Sequence, residues 1–138
     1  MSNKPILIGG KESNEIIEKL NTISSTLYVA GAGYKLLCVI LGEADFLVNS
    51  SRTTFFWDTC ACHAILRSIG GGIISLDDII NNQNYHLDLE LAQIRYRAKI
   101  ENNINNPKES YNHAKGLIAY RSKNMIQKIV QTLKQNEN

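Results

Sequence analysis

Asp58 is the second residue of the run Trp57-Asp58-Thr59-Cys60-Ala61-Cys62-His63-Ala64-Ile65-Leu66-Arg67-Ser68-Ile69-Gly70-Gly71-Gly72-Ile73, in a pattern that predicts the first turn of a helix. Two roles suit a carboxylate there. It can cap the helix, accepting a bond from an orphan backbone N–H and favoured by the helix dipole. It can also ligate a hard cation such as Mg²⁺, with one oxygen left free on a rigid helix end. Spacing alone leaves both open. Lys35 is the second candidate, because it follows Gly31-Ala32-Gly33. A glycine turn between strand and helix brings backbone N–H groups to a surface where an anion can sit. A lysine in the first turn opposes the dipole at a cost of roughly 0.3–1 kcal/mol. An anionic ligand would offset that cost, as would solvent or a carboxylate partner.

The remaining reactive side chains read as structural. Cys38, Cys60 and Cys62 are odd in number and lie in apolar helical contexts, so they are expected to be reduced, buried thiols. Cys60 and Cys62 are two residues apart and point to different helix faces, a poor arrangement for a metal. His63 is expected to be a hydrogen-bonded imidazole in the core; His86 and His113 have no partners at metal-ligand spacing and are expected to be solvated. Asp77 and Asp78 read as caps of a short helix through Ile80.

The elements that must position these residues alternate. Pro5 to Ile8 reads as a buried strand, Glu12 to Ile23 as an amphipathic helix, and Thr26 to Ala30 as a second strand. The glycine turn then opens a helix to Gly42 that is apolar nearly all round and should be buried. Ala44 to Val48 is a strand, and Asn49 to Thr54 a loop. In the helix after Trp57, Ala61, Ala64, Ile65 and Ile69 form a stripe of helical period expected to face the core. Gly70 to Gly72 should end that helix and allow close approach to a strand from Ile73 to Leu76. A surface excursion from 81 to 113 follows, anchored by Tyr85, Leu87, Leu89, Leu91 and Ile94. Leu117 to Tyr120 is the last strand. Ser122 is placed to cap a final helix buried through Met125, Ile126, Ile129, Val130 and Leu133. The reading is a single α/β layered lobe.

Composition narrows the partners. A length of 138 residues, with 43% hydrophobic and 20% charged, supports one globular domain with a real core. A net charge of +2 with scattered Lys and Arg gives no basic stripe with interleaved aromatics, so no nucleic-acid partner is expected. No apolar run approaches a membrane span and no signal peptide is visible, so a cytoplasmic protein with no membrane partner is expected.

The run from Trp57 to Ile73, taken with Gly31-Ala32-Gly33-Tyr34-Lys35 and Gly116-Leu117-Ile118-Ala119-Tyr120-Arg121-Ser122, resembles the inositol monophosphatase-like phosphatases, a magnesium-dependent, lithium-sensitive superfamily. The His-Ala-Ile-Leu-Arg continuation and the Gly-Ala-Gly-Tyr-Lys spelling point to the branch acting on inositol polyphosphates. The 3′(2′),5′-bisphosphate nucleotidase branch is the rival. The resemblance implies an α/β sandwich and a Mg²⁺-dependent hydrolase that removes the 1-phosphate from inositol polyphosphates such as inositol 1,4-bisphosphate. Asp58 matches a metal ligand of the family. Gly31, Ala32, Lys35 and Thr53 match substrate-binding positions, and Lys11 matches a further substrate-binding lysine. Gly9, Arg52 and Phe56 depart from the Ser, Asp and Lys that the family pattern would place there. The family's other metal ligands, a Glu and the carboxylates of an Asp-Pro-Ile/Leu-Asp motif, lie upstream of the matching part, and no Asp-Pro occurs here. Residues 1–138 are therefore expected to be a C-terminal lobe whose partner is the missing N-terminal portion of the same enzyme. It should be inactive alone and should expose an apolar face where that portion packs. The alternatives are a bisphosphate nucleotidase-like phosphatase and a non-catalytic module that holds phosphorylated ligands.

Overall fold

The computed structural model describes residues 3–81, 88–97 and 111–135. Its elements run β1 (Ile6–Ile8), α1 (Asn14–Asn21), β2 (Thr26–Tyr28), α2 (Ala32–Leu41), β3 (Phe46–Asn49), α3 (Phe56–Ser68), β4 (Gly72–Ser75), α4 (Leu76–Asn81), α5 (Leu89–Ala92), β5 (Leu117–Tyr120) and α6 (Lys123–Lys134). β1, β3, β4 and β5 are short and buried along their whole length because both faces of the sheet are covered there, whereas Leu27 and Tyr28 of the edge strand β2 are exposed. Their order is β2-β1-β3-β5-β4. β1 pairs in parallel with β2 and with β3, while β5 runs antiparallel to both β3 and β4.

Alternation along each strand sorts side chains between two cores. Ile6, Ile8, Val48 and Ile118 pack with Leu20 of α1, Ile79 of α4 and Ile129 of α6 on one face. Leu7, Leu47 and Ala119 pack with Leu36 and Val39 of α2 and Leu66 of α3 on the other. The result is the expected α/β layered architecture, helices on both sides of one mixed sheet.

The connections set the position of the site. From β1 the chain passes through α1 on one face to β2; from β2 it passes through α2 on the opposite face to β3, on the far side of β1. α1 thus leaves β1 toward β2 on one face while α3 leaves β3 toward β4 on the other, so the connections from these two neighbouring strands diverge. In open α/β sheets such a point leaves a crevice at the carboxyl ends of the strands.

Several expectations are corrected. α2 is buried on one face only: Lys35, Leu36 and Val39 are inside, whereas Tyr34, Leu37 and Leu41 are exposed. α3 sits with the opposite face inward. Its apolar stripe of Ala61, Ala64, Ile65 and Ile69 is exposed, and Thr59, His63 and Leu66 point into the molecule. The two polar residues are tolerated inside because each finds hydrogen-bond partners there. Cys60 is exposed and Cys38 and Cys62 are half-buried, all three free thiols. α1 starts later than expected, because Ser13 caps it by accepting the Ile16 N–H at 3.3 Å, which leaves Glu12 outside the helix. Ser122 occupies the N-cap position of α6 but makes no capping bond through its side chain. In the excursion, Ile94 is buried, Leu89 packs against the core and Leu91 is 71% exposed. Tyr85, His86 and Leu87 lie outside the described residues. Gly71 is required by close approach, since a Cβ there would fall 2.2 Å from the Tyr120 carbonyl oxygen. Among the described residues no helix is long and apolar enough to cross a membrane.

Candidate functional site

The carboxyl end of β1 runs into Gly9-Gly10-Lys11-Glu12. Freed from α1, Glu12 reaches the loop after β3: its Oε1 accepts the Ser50 N–H at 2.8 Å and its Oε2 accepts the Ser50 hydroxyl at 2.5 Å. One carboxylate thus ties together the two strands between which the connections diverge. The next loop residues hold one another in place. Asn49 Oδ1 accepts from Ser51 N at 3.2 Å and Ser51 Oγ at 2.7 Å, and the hydroxyls of Ser51 and Thr53 lie 2.6 Å apart.

Lys35 stands beside this crevice. Gly31, the N-cap of α2, has φ +87°, a conformation that residues with a Cβ rarely adopt. It turns the chain from β2 so that Ala32 begins the helix and Lys35 falls in its first turn. The lysine is only 6% exposed. Burial pushes its ammonium below the ordinary lysine value, with the nearby Glu12 charge acting the other way. Among the described residues it makes no hydrogen bond or ion pair. Lys35 is therefore a desolvated cation whose nearest carboxylate is already bonded to Ser50. It neither snorkels into solvent nor forms a direct pair with a carboxylate.

Asp58 occupies the third position of α3. Phe55, at the N-cap, has no side-chain acceptor, and Asp58 Oδ2 reaches back to accept its N–H at 2.9 Å. The capping role is thus real and uses one oxygen. Among the described residues Oδ1 has no hydrogen-bond partner.

The mouth of α3 is clamped from one side by residues 111–113. The His113 N–H donates to the Thr54 carbonyl at 2.9 Å, and His113 Nε2 lies 2.6 Å from Thr59 Oγ1. Phe55 stacks on Trp57 at 4.7 Å, and Phe56 meets the rings of Tyr96, Tyr111 and His113. His113 is buried, not solvated as the sequence implied, because the aromatic residues and Thr59 enclose it. Burial, with His63 nearby, pushes its imidazole down to about 4 against the opposing pull of Asp58. His63 is the hydrogen-bonded core imidazole expected: Nδ1 lies 3.0 Å from the Tyr96 hydroxyl and Nε2 2.8 Å from Gln93 Oε1.

The structure thus brings Gly31, Ala32, Lys35, Thr53 and Asp58 to one edge of the sheet. Lys11 is exposed in the turn beside Glu12. Glu12 and His113 were missed. A carboxylate two residues after a strand-ending glycine pair is the signal for Glu12; His113 had no local signal, since Thr59 and Thr54, to which its ring and its N–H bond, lie more than fifty positions away. Asp77 and Asp78 lie in the first turn of α4, and Asp78 pairs with Lys115 at 2.7 Å. No group of three metal-ligating side chains occurs among the described residues. Asp58 fits a hard cation as one ligand, and further carboxylates would have to come from outside those residues.

The carboxyl edge of a mixed α/β sheet thus carries a buried lysine, without an ion pair among the described residues, and a helix-mouth carboxylate. The chain belongs to the inositol monophosphatase family, whose model matches residues 8–135. It is 39% identical over 132 residues to inositol polyphosphate 1-phosphatase of Mus musculus, covering 94% of this chain and 33% of that protein. It is 35% identical over 94 residues to human 3′(2′),5′-bisphosphate nucleotidase 1, covering 59% of this chain and 30% of the relative. Among solved structures, an inositol monophosphatase from Anabaena superposes with a TM-score of 0.62 at 13% identity, over 96% of this chain and 44% of that one. That likeness shows the α/β fold. The chain spans about a third of the length of the curated relatives it matches.

Proposed function

We propose that this chain is the C-terminal lobe of a Mg²⁺-dependent phosphomonoesterase that removes the 1-phosphate from inositol polyphosphates such as inositol 1,4-bisphosphate. The observation that carries the reading is Lys35: a buried cation with no direct partner among the described residues, in the first turn of a glycine-led helix, at the crevice between β1 and β3. A phosphate group would supply the missing charge, and the N–H groups at the start of α2 would orient its oxygens. Thr53 and the exposed Lys11 border the same edge and would contact the substrate's hydroxyls and phosphates. Glu12 fixes the width of the crevice through Ser50.

Asp58 would be one of the ligands of the metal, with Oδ1 directed to the ion while Oδ2 keeps the helix capped. Bound Mg²⁺ supplies a Lewis acid that activates water and neutralises charge on the phosphoryl oxygens. The other ligands are assigned to the N-terminal portion, which would cover the exposed apolar side of α2 and α3. The similarity to inositol polyphosphate 1-phosphatase over nearly the whole chain supports the inositol branch above the nucleotidase branch.

The test is release of inorganic phosphate from inositol 1,4-bisphosphate with Mg²⁺, comparing this chain, the chain restored at its N-terminus, and 3′-phosphoadenosine 5′-phosphate as the rival substrate. Turnover of the inositol ester by the restored protein only, lost in D58N, is the expected result. Preference for the nucleotide would move the protein to the other branch. Binding of either ester without turnover in the restored protein would favour the non-catalytic module.

A further inference from the structure

On the far side of β5 from the Lys35 crevice, a pocket of about 270 Å³ opens at the ends of β4 and β5, walled by Phe56 and His113 and by the segment after α5. That segment is held to the edge of the sheet: Gln93 bridges Ile74, and the Ile94 N–H donates to the Ile73 carbonyl at 2.9 Å. Beyond the anchor the side chains divide. Tyr96 turns toward α3, where its hydroxyl meets His63. Arg95 and Arg97, on either side of it, both line the pocket, and Lys115 lines it from the start of β5.

Among the described residues the charges at this pocket do not balance. The carboxylate in the pocket, Asp78, is bonded to Lys115. The acids of α5 are also committed, Glu90 to Arg67 and Asp88 to the backbone N–H groups of Glu90 and Leu91. Arg95 and Arg97 both face this concave surface, and among the described residues neither makes an ion pair. Their planar forks match the oxygens of a phosphate, which can take two parallel bonds from each.

We propose that this pocket is a second phosphate-binding site, formed by Arg95, Arg97 and Lys115. It is separate from the Lys35 crevice but within reach of it. β5 and β4 lie one and two strand spacings from β3, about 5–10 Å. The phosphate is either the distal group of a ligand lying in the crevice or free phosphate, and the recognition chemistry is the same.

The 138-residue chain, labelled with ¹⁵N, should be titrated with inorganic phosphate in chloride buffer. The Arg95, Arg97 and Lys115 signals should shift to saturation. The double variant R95A/R97A, which removes two exposed side chains, should weaken the midpoint at least about tenfold, while K35A leaves it within about twofold. A midpoint unchanged in R95A/R97A, or shifts confined to the surroundings of Lys35, overturns the proposal and leaves the crevice reading standing. Inositol 1,4-bisphosphate as a second probe separates the sources. A common midpoint at Lys35 and Arg97 identifies the distal group of one bridging ligand; saturation of the pocket by inorganic phosphate alone identifies free phosphate. Both uphold the site.

Discussion

His113 Nε2 and Thr59 Oγ1 lie 2.6 Å apart in the interior, and the same histidine donates its backbone N–H to Thr54 at 2.9 Å. The two bonds bracket Asp58 from before and after, so the chain on either side of it is tied to a residue 55 positions later. Neither partner carries a local sequence signal for this. The contact ties the start of β5 to the mouth of α3, and makes the stability of that mouth depend on pH.

Both buried imidazoles are held below the ordinary value of 6.5, His113 down to about 4 and His63 by burial outweighing its Gln93 bond. As pH falls below about 6.5 the unfolded chain takes up these protons and the folded chain does not. Stability is therefore complete above about 6.5 and is lost progressively toward about 4. Urea midpoints should drop between about pH 7 and pH 5, and H113Q, which keeps an amide near Thr59, should flatten that drop. An equal slope in H113Q would show that His113 is not the neutral, buried ring described.

Asp58 serves the fold with one oxygen and would serve the metal with the other, and two substitutions separate these roles. D58A removes the acceptor for the Phe55 N–H and should cost about 0.5–2 kcal/mol in urea unfolding. D58N keeps an acceptor oxygen and loses only the charge favoured at the helix start, about 0.3–1 kcal/mol. In the N-terminally restored protein both should abolish Mg²⁺-dependent phosphate release. If D58N folds normally and retains full turnover, Asp58 is a cap and nothing more.

The strands, the helices and their alternation were legible in the sequence because short apolar runs and helical periodicity are local properties. Burial of α3 was not. Ala61, Ala64, Ile65 and Ile69 give the more apolar stripe, yet Thr59, His63 and Leu66 face inward. Periodicity identifies an amphipathic helix but cannot count the distant partners that make polar residues acceptable inside, here Gln93, Tyr96 and His113. The same limit hid Glu12. Its pattern continued the α1 helix, and only the capping by Ser13 releases it to Ser50. The candidate site residues were found through a motif, since Gly31, Lys35 and Asp58 sit at strand and helix ends where such motifs lie.

Glu12 and Lys35 should behave as a coupled pair although they share no direct bond. E12Q removes the charge that partly offsets the desolvation of the Lys35 ammonium and weakens the charge-assisted bonds to Ser50, a loss of about 1.5–3 kcal/mol. K35M removes the buried cation, so E12Q should cost less in that background. A double-mutant cycle by urea unfolding should return about 0.5–3 kcal/mol of coupling. Strict additivity would mean that the two groups do not sense each other across the crevice.

Gly31 carries the turn that delivers Lys35. Its φ of +87° is outside the range comfortable for alanine, although no neighbouring side chain would collide with a Cβ, the nearest atom being Tyr34 Cβ at 3.8 Å. The cost of G31A is thus backbone strain alone, about 1–2 kcal/mol. In the restored protein it should raise KM for inositol 1,4-bisphosphate more than it lowers kcat, because it displaces a binding turn and not Asp58. A fall in kcat at unchanged KM would place Gly31 outside the substrate site.

The outward stripe of α3 supplies the last test. Ile65 and Ile69 are each 46% exposed, and with Leu37, Leu41 and Trp57 they make the outer side of the α2–α3 layer unusually apolar. Single exposed apolar residues need no explanation, but several carried by two packed helices suit a surface that something covers. If that something is the rest of a phosphatase, I65K/I69K should change the stability of this chain by no more than about 0.5 kcal/mol per site, since neither side chain fills the core. Sedimentation velocity should show less self-association of the variant than of the parent chain. In the restored protein the same pair of lysines would be forced into an interface, and thermal unfolding should become less stable or split into two transitions. Equal stability of parent and variant in the restored protein would show that the patch stays open to solvent, and the N-terminal portion would then have to dock elsewhere.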